Sequence, residues 1–279
     1  MLRFEFNMRR VRALRAWHKW FFPAPEAGDA RRLTLHYHCR ETKKIPGFHR
    51  EAKFTKLIDL TKSEDELFDD FGKNTKPKVK RALTEGMRFS PESDANVLLQ
   101  TYNAFSAAKH RPPMDESVLH AYWPRMFATK LMHEGEVLVM HSYLYDPELR
   151  RACQMHSASL FRSTDDGARQ NLMGRANRLL QYLDMLWLKE KGAHVFDLGG
   201  YALHTTDPEL IEVNDFKDGF GGQLVEESNY YSLPLYWLRR TKTFVAGFCE
   251  PCPASALNPF HASAKVAITK PKPAESDGN

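Results

Sequence analysis

The chain has 279 residues, enough for one large domain with a substantial core, and its 42% apolar and 27% charged content is ordinary for a globular protein. Forty basic side chains against 35 acidic ones leave a net charge of +5, too mild to indicate a nucleic-acid partner by itself. No apolar run reaches the roughly 18 residues of a membrane-spanning helix, and the cysteines, Cys39 and Cys153 in apolar runs plus the lone pair Cys249-Glu-Pro-Cys252 without zinc-spaced partners, imply a reducing compartment and no metal.

Residues 1–28 stand apart in composition. Arg3, Arg9, Arg10, Arg12, Arg15 and Lys19 face only Glu5. Val11, Leu14, Trp17 and Phe21 recur at helical spacing, with Trp20 and Phe22 alongside, which predicts a basic amphipathic helix. Such a helix suits peripheral contact of residues 3–22 with an anionic membrane, or docking of its aromatics on the parent domain. The segment lacks the apolar stretch and cleavage site of a signal peptide. Pro23-Ala-Pro-Glu-Ala-Gly28 reads as a linker to a main domain over 29–248, of which 29–134 could form a reduced first lobe. Residues 249–279, rich in Pro, Ala, Ser and Lys, show no periodicity and are predicted to be disordered.

Within the main domain, Leu33 to Cys39 and Phe54 to Leu60 read as strands, with the Lys, His and Arg residues between them as loop. Thr61 or Ser63 can cap a helix whose first turn holds Glu64, Asp65 and Glu66. Five cations follow over 73–81 (Lys73, Lys76, Lys78, Lys80 and Arg81), either an anion site or a solvated helix face, with Pro77 near the helix start. Residues 94–109 and 115–131 have helical patterns, separated by the extended His110-Arg-Pro-Pro-Met114. Gly135 to Tyr145 and Arg151 to Leu160 form a hairpin around Asp146-Pro-Glu-Leu149. Glu209 to Phe216 is helical, Gly222 to Ser232 is a strand, and Leu235 to Phe248 reads as a helix.

The longest amphipathic stretch is Gly174 to Gly192, followed by a short buried strand that ends in Phe196-Asp-Leu-Gly-Gly200. A glycine-bearing turn opening a long helix aims backbone N–H groups and a partial positive charge at one point. With Arg169 and Arg175 flanking that turn, a phosphate-bearing ligand is plausible; the alternative is an ordinary loop-helix-strand unit.

Asn171-Leu-Met-Gly174-Arg-Ala176 resembles the Arg/Gln-x-x-Gly-x-Gly/Ala segment of GNAT-fold acyltransferases, with Asn171 in place of the usual Arg or Gln. Four further pieces, in chain order, resemble the FemAB-like branch of that superfamily, whose larger members build peptidoglycan cross-bridges. They are Asp59 to Phe68, Asn74 to Gly86, Phe196 to Gly200, and Phe216-Lys-Asp-Gly-Phe-Gly221, within residues 34–232. The resemblance implies an α/β (α+β) fold with a mixed, largely antiparallel central sheet flanked by helices, the N-terminal basic helix added to it. It also implies acyl-CoA, most simply acetyl-CoA, held by Arg169, Asn171, Leu172, Met173, Gly174, Arg175 and Ala176.

Acyl transfer to an amine needs a proton acceptor, a polarised carbonyl and an acid for the leaving group. His156 and His141 on the hairpin, Asp197 at the end of the neighbouring strand and Tyr201 just beyond it are the candidates, and Lys217 and Phe220 could contact the acceptor. Each also has a structural reading: hydrogen-bonded strand histidines, a carboxylate capping Gly199-Gly200, a core phenylalanine. The favoured expectation is a cytoplasmic N-acyltransferase, active at the inner face of the membrane on an amine of a cell-envelope sugar or lipid-carrier-linked precursor. The alternatives are aminoacyl transfer from charged tRNA, the one reading that brings in nucleic acid, and a non-catalytic membrane-docked scaffold.

Overall fold

The computed structural model describes residues 1–8, 11–159 and 166–246. Ten strands form one continuous sheet: β1 (Leu2–Met8), β2 (Val11–Trp20), β3 (Leu33–Cys39), β4 (Phe48–Asp59), β5 (Arg88–Glu92), β6 (Met126–His133), β7 (Glu136–Asp146), β8 (Arg151–Ser159), β9 (Val195–Tyr201) and β10 (Gln223–Ser232). Their order across the sheet is β1-β2-β3-β10-β4-β9-β8-β7-β6-β5. Among the described residues only β2–β3 and β8–β9 pair in parallel. Seven helices cover the faces: α1 (Glu64–Asp69), α2 (Lys76–Leu83), α3 (Ala95–Ala108), α4 (Glu116–Tyr122), α5 (Gly167–Glu190), α6 (Pro208–Asp218) and α7 (Leu233–Ala246).

Side chains alternate across a strand, so the sheet buries two cores. On one face Leu67 and Phe71 beside α1, Val79 of α2 and Ala176, Leu179, Leu180, Met185 and Leu188 of α5 pack on Tyr143, Ala152, Phe196 and Leu198. On the other, Leu98 of α3, Leu119 and Tyr122 of α4 and Leu235 of α7 pack on Phe4, Trp20, Tyr37, Leu144, Cys153 and Met155. Helix starts follow local chemistry. Ser63 and Glu66 form a reciprocal capping box on α1, and Asp94, Asp115, Asp166 and Asp207 accept from the first backbone N–H groups of α3, α4, α5 and α6.

Four expectations need correction. Residues 2–8 and 11–20 are paired antiparallel strands, not a helix: Leu2 and Phe4 alternate inward with Ala16 and Trp20, burying one face against Tyr122 and Tyr37, and period two prevails over the apparent helical spacing. Of the cations there whose side chains are described, Arg3 pairs with Glu26, Arg15 with Glu5 and Lys19 with Asp29; Arg9 and Arg10 lie outside the described residues. Residues 126–131 belong to β6 rather than to a helix from 115, because Pro124 follows α4 and Ala128 and Leu131 are wanted in the sheet. The supposed loop before Phe54 is the first half of β4, paired with β10. The longest helix opens at Gly167, seven residues before Gly174, because Asp166 caps it.

Residues 29–134 are divided between the two halves of the sheet, with β3 and β4 beside β10 and β5 at the far edge. Cys39 and Cys153 are buried thiols, as expected. Cys249, Cys252 and the segment 249–279 lie outside the described residues. No described helix is long and apolar enough to cross a membrane.

Candidate functional site

The parallel strands β8 and β9 stay paired only from Arg151↔Val195 to Cys153↔Asp197. Beyond that rung both strands are irregular. In β8 the register against β7 jumps between Gln154 and His156, leaving Met155 as an extra residue. In β9 the register against β4 jumps between Asp197 and Gly200, and Gly199 sits there at φ 72°. A bulge re-aims a strand and releases its backbone from the ladder. Gly199 is required on two counts: its backbone is left-handed, and a Cβ would lie 3.0 Å from the Gln154 carbonyl oxygen.

Below this opening lies a buried ionic group. Arg151 donates from Nε (3.1 Å) and Nη2 (2.5 Å) to Asp197 Oδ2, and from Nη1 (2.6 Å) to Glu227 Oε1. Thr55 donates to Asp197 Oδ1, as does the Gly199 N–H at 2.8 Å. His38, at φ 53° where β3 bulges against β10, places Nδ1 2.6 Å from Glu227. Burial pushes the Asp197 carboxyl up, but Arg151, His38 and Thr55 outweigh it and hold it well below the usual carboxylate range. His38, Asp197 and Glu227 stand close enough to ligate a metal, yet the Arg151 guanidinium already supplies the cation between the two carboxylates. Asp197 thus stays ionised in the fold and orients the Gly199 turn through the Gly199 N–H.

At the mouth stands Lys217 of α6. Its ammonium donates to the Gly200 carbonyl. Desolvation lowers its pKa to about 8 against the upward pull of Asp197 and Cys153. Tyr201 donates to Asp218 (3.0 Å), and burial followed by that bond raises its pKa. Phe220 is a core residue, fully buried with its ring centre 5.1 Å from those of Phe71 and Phe216, and cannot touch a ligand. The surrounding motif is packing chemistry: a Cβ on Gly219 would lie 2.3 Å from Thr75 Oγ1.

The two hairpin histidines point to opposite faces. His141 is fully buried under α5, its Nδ1 2.8 Å from Asp184 Oδ2 and its Nε2 2.8 Å from the Asn177 amide oxygen. His156 follows the bulge, half-buried beneath Tyr102 with Nδ1 2.7 Å from Ser142 Oγ; desolvation lowers its pKa to about 4, so the ring is neutral at pH 7. Beside it an apolar pocket of about 220 Å³ opens between α3 and the β7–β8 hairpin, lined by Thr101, Phe105, Leu138, Ala158 and Ser159.

The glycine-motif residues lie on the helix itself. Met173 and Ala176 face the core, Leu172 packs against its edge, and Asn171 is exposed. Arg169 pairs with Glu136, and Arg175 makes two bonds to Glu85. Gly174 has its carbonyl taken by Arg178 Nη1 at 3.0 Å. Sequence reasoning singled out none of Arg151, Glu227, His38 and Arg178. A signal for the first existed, since an arginine opening an otherwise apolar strand calls for a buried partner.

A mixed sheet with two parallel neighbours that part beside strand bulges, backed by a long helix joining them, is a GNAT-like fold. A crystal structure of FemX superposes with a TM-score of 0.54 at 16% identity, over 72% of this chain and 67% of that one. The C-terminal domain (DUF2156) described as that of a lysylphosphatidylglycerol synthetase from Agrobacterium fabrum gives 0.51 at 14% identity, over 83% and 82%. L-PGS from Bacillus licheniformis gives 0.50 at 17%, over 77% and 74%. No protein-family model matches the sequence, and no curated protein does.

Proposed function

We propose that this protein is an acyltransferase of the cell envelope, moving an acyl group from a carrier to an amine in the opening between β8 and β9. The observation that carries the reading is Lys217: a cation held on the Gly200 carbonyl where the two strands part, in the field of the Asp197 carboxylate and beside backbone freed by the Met155 bulge. A donor lying along the unpaired backbone of β8 would bring its carbonyl to that cation. The amine attacks the carbonyl carbon, the Lys217 ammonium stabilises the oxygen that becomes negative, and collapse breaks the bond to the leaving group. Lys217 can then pass a proton to that leaving group, while the attacking nitrogen gives its own to water. Neutral His156 positions the substrate, and Tyr201 supplies a hydroxyl at the mouth.

The donor we favour is acyl-CoA, acetyl-CoA in the simplest case, and the acceptor an amine on an envelope sugar or lipid-carrier-linked precursor met at the inner face of the membrane. No helical arm for tRNA is found among the described residues. Aminoacyl transfer from charged tRNA is the second reading, supported by the likeness to a domain whose name gives lysylphosphatidylglycerol as product. The test is to incubate the purified protein with labelled acetyl-CoA or labelled lysyl-tRNA, amino sugars and phosphatidylglycerol vesicles. Label moving from either donor identifies it. Absence of transfer from both, with unaltered envelope glycans and lipids by mass spectrometry in cells lacking the protein, ends the enzymatic reading.

A further inference from the structure

The cations marked by sequence as a phosphate socket, Arg169 and Arg175, are neutralised by glutamates. Two others on the same face are not. Arg178 of α5 leans over the Phe216 ring (5.1 Å to its centre) and bonds only the carbonyl of Gly174, one turn back on its own helix. Its Nε is buried and has no hydrogen-bond partner. Lys78 of α2, the helix packed along α5, lies in its field: the charge of Arg178, then desolvation, lowers the Lys78 pKa. Among the described residues neither cation has a carboxylate within ion-pair distance. Every other cation that faces this part of α5 from α2 is accounted for: Lys76 pairs with Asp69, Arg81 with Glu85, and Lys80 covers the Phe68 ring.

Two like charges brought together, one of them half-buried with an orphaned donor, cost folding energy that no carboxylate among the described residues offsets. Such an arrangement persists where an anion completes it. We propose that Lys78 and Arg178 form a binding position for the phosphate of a phosphate ester, the planar guanidinium gripping two oxygens and the lysine neutralising the remaining charge. Phe216 bridges the position to the transfer site, since it lies one residue before Lys217 on α6. The identity of the ligand as a substrate rests on the transferase reading; the binding of phosphate does not.

The experiment uses the full chain and three probes at low salt by calorimetry: inorganic pyrophosphate, coenzyme A and soluble dihexanoyl phosphatidylglycerol. Arg178→Gln and Lys78→Gln are each expected to weaken pyrophosphate binding about 10- to 100-fold, whereas Lys73→Gln, on the exposed turn before α2, leaves it unchanged. A parallel loss for coenzyme A assigns the position to the donor, and a loss for the lipid alone assigns it to the acceptor. Arg178→Gln should melt close to wild type, because the repulsion it relieves offsets the contact with the Phe216 ring that it loses. Wild-type protein that binds none of the probes, or variants that bind all three as wild type does, overturns the proposal. Phosphate binding without transfer would remove the transferase reading and leave this site standing; transfer with an unchanged KM in Arg178→Gln would do the reverse.

Discussion

Arg151, on the first rung of the short paired stretch of β8 and β9, reaches Asp197, on its last rung, with two guanidinium nitrogens at 3.1 and 2.5 Å from one carboxylate oxygen. The pair ties the strands together immediately below the point where they separate. It fixes the Gly199 turn through the Gly199 N–H bond to the same carboxylate. Removing one partner leaves a charge buried without compensation. Arg151→Met should therefore cost about 3–5 kcal/mol of stability at pH 7, read from urea midpoints. A loss below about 1 kcal/mol would mean that the group is not the clamp described.

The acid limb of stability has two stages. Burial lowers the pKa values of His18, His36 and His156 to about 3, 4 and 4, so these rings are neutral in the fold, and their contribution is complete above the unfolded value near 6.5 and lost as pH falls toward 4. Asp197 and Glu227 are held below the usual carboxylate range; their contribution is complete above roughly pH 4–5 and fades only below that. His156→Gln should flatten the first stage, measured as urea midpoint against pH from 7 to 4. An unchanged slope would show that His156 is protonated freely in the folded protein.

Lys217 offers a separation of stability from activity. Its charged form is penalised in the fold, fully below pH 8 and progressively less as pH climbs toward the unfolded value near 10.5. Lys217→Met should thus raise the melting temperature at pH 7 and lose that advantage by about pH 10.5. The same variant should lower kcat by about 100- to 1,000-fold. Wild-type activity should decline above pH 8 as the ammonium deprotonates. A variant with full turnover would leave Lys217 a structural residue.

Gly199 and Gly200 are neighbours with different tolerance. Gly199→Ala meets the Gln154 carbonyl and a left-handed backbone, and should cost on the order of 1–3 kcal/mol. Gly200→Ala finds nothing within 4 Å and should be close to neutral. Equal effects in thermal melts would show that the β9 bulge relaxes around a side chain.

Trp20 tests the N-terminal hairpin. It is 2% exposed, stacks on Tyr37 with ring centres 4.2 Å apart, and donates from Nε1 to the Tyr122 hydroxyl at 3.1 Å. Trp20→Ala should cost about 3–5 kcal/mol. A stable Trp20→Ala protein that has lost binding to anionic vesicles would instead restore the membrane-contact reading of residues 3–22.

Local chemistry alone determined much of this chain. Asp-, Ser- and Pro-led helix starts, the hairpin of β7 and β8, the stop at Gly192 and the succession of strand and helix follow from turn residues and periodicity, which act within a few residues. The resemblance carried by Phe196 to Gly200 and Phe216 to Gly221 pointed to the right fold, although those glycines and Phe220 turn out to serve packing and backbone geometry. What the sequence left open needed partners distant along the chain. Whether residues 2–8 and 11–20 coil or pair is decided by Tyr122, 102 residues beyond Trp20, and by β3, whose Tyr37 pairs with Trp20, and periodicity cannot weigh a neighbour it does not contain. Whether an arginine is spent or available is likewise tertiary: Arg175 is taken by Glu85 and Arg178 by no acid among the described residues, though they lie three residues apart on one helix. Charge is written in the sequence, but its neutralisation depends on what the fold brings within a few ångströms.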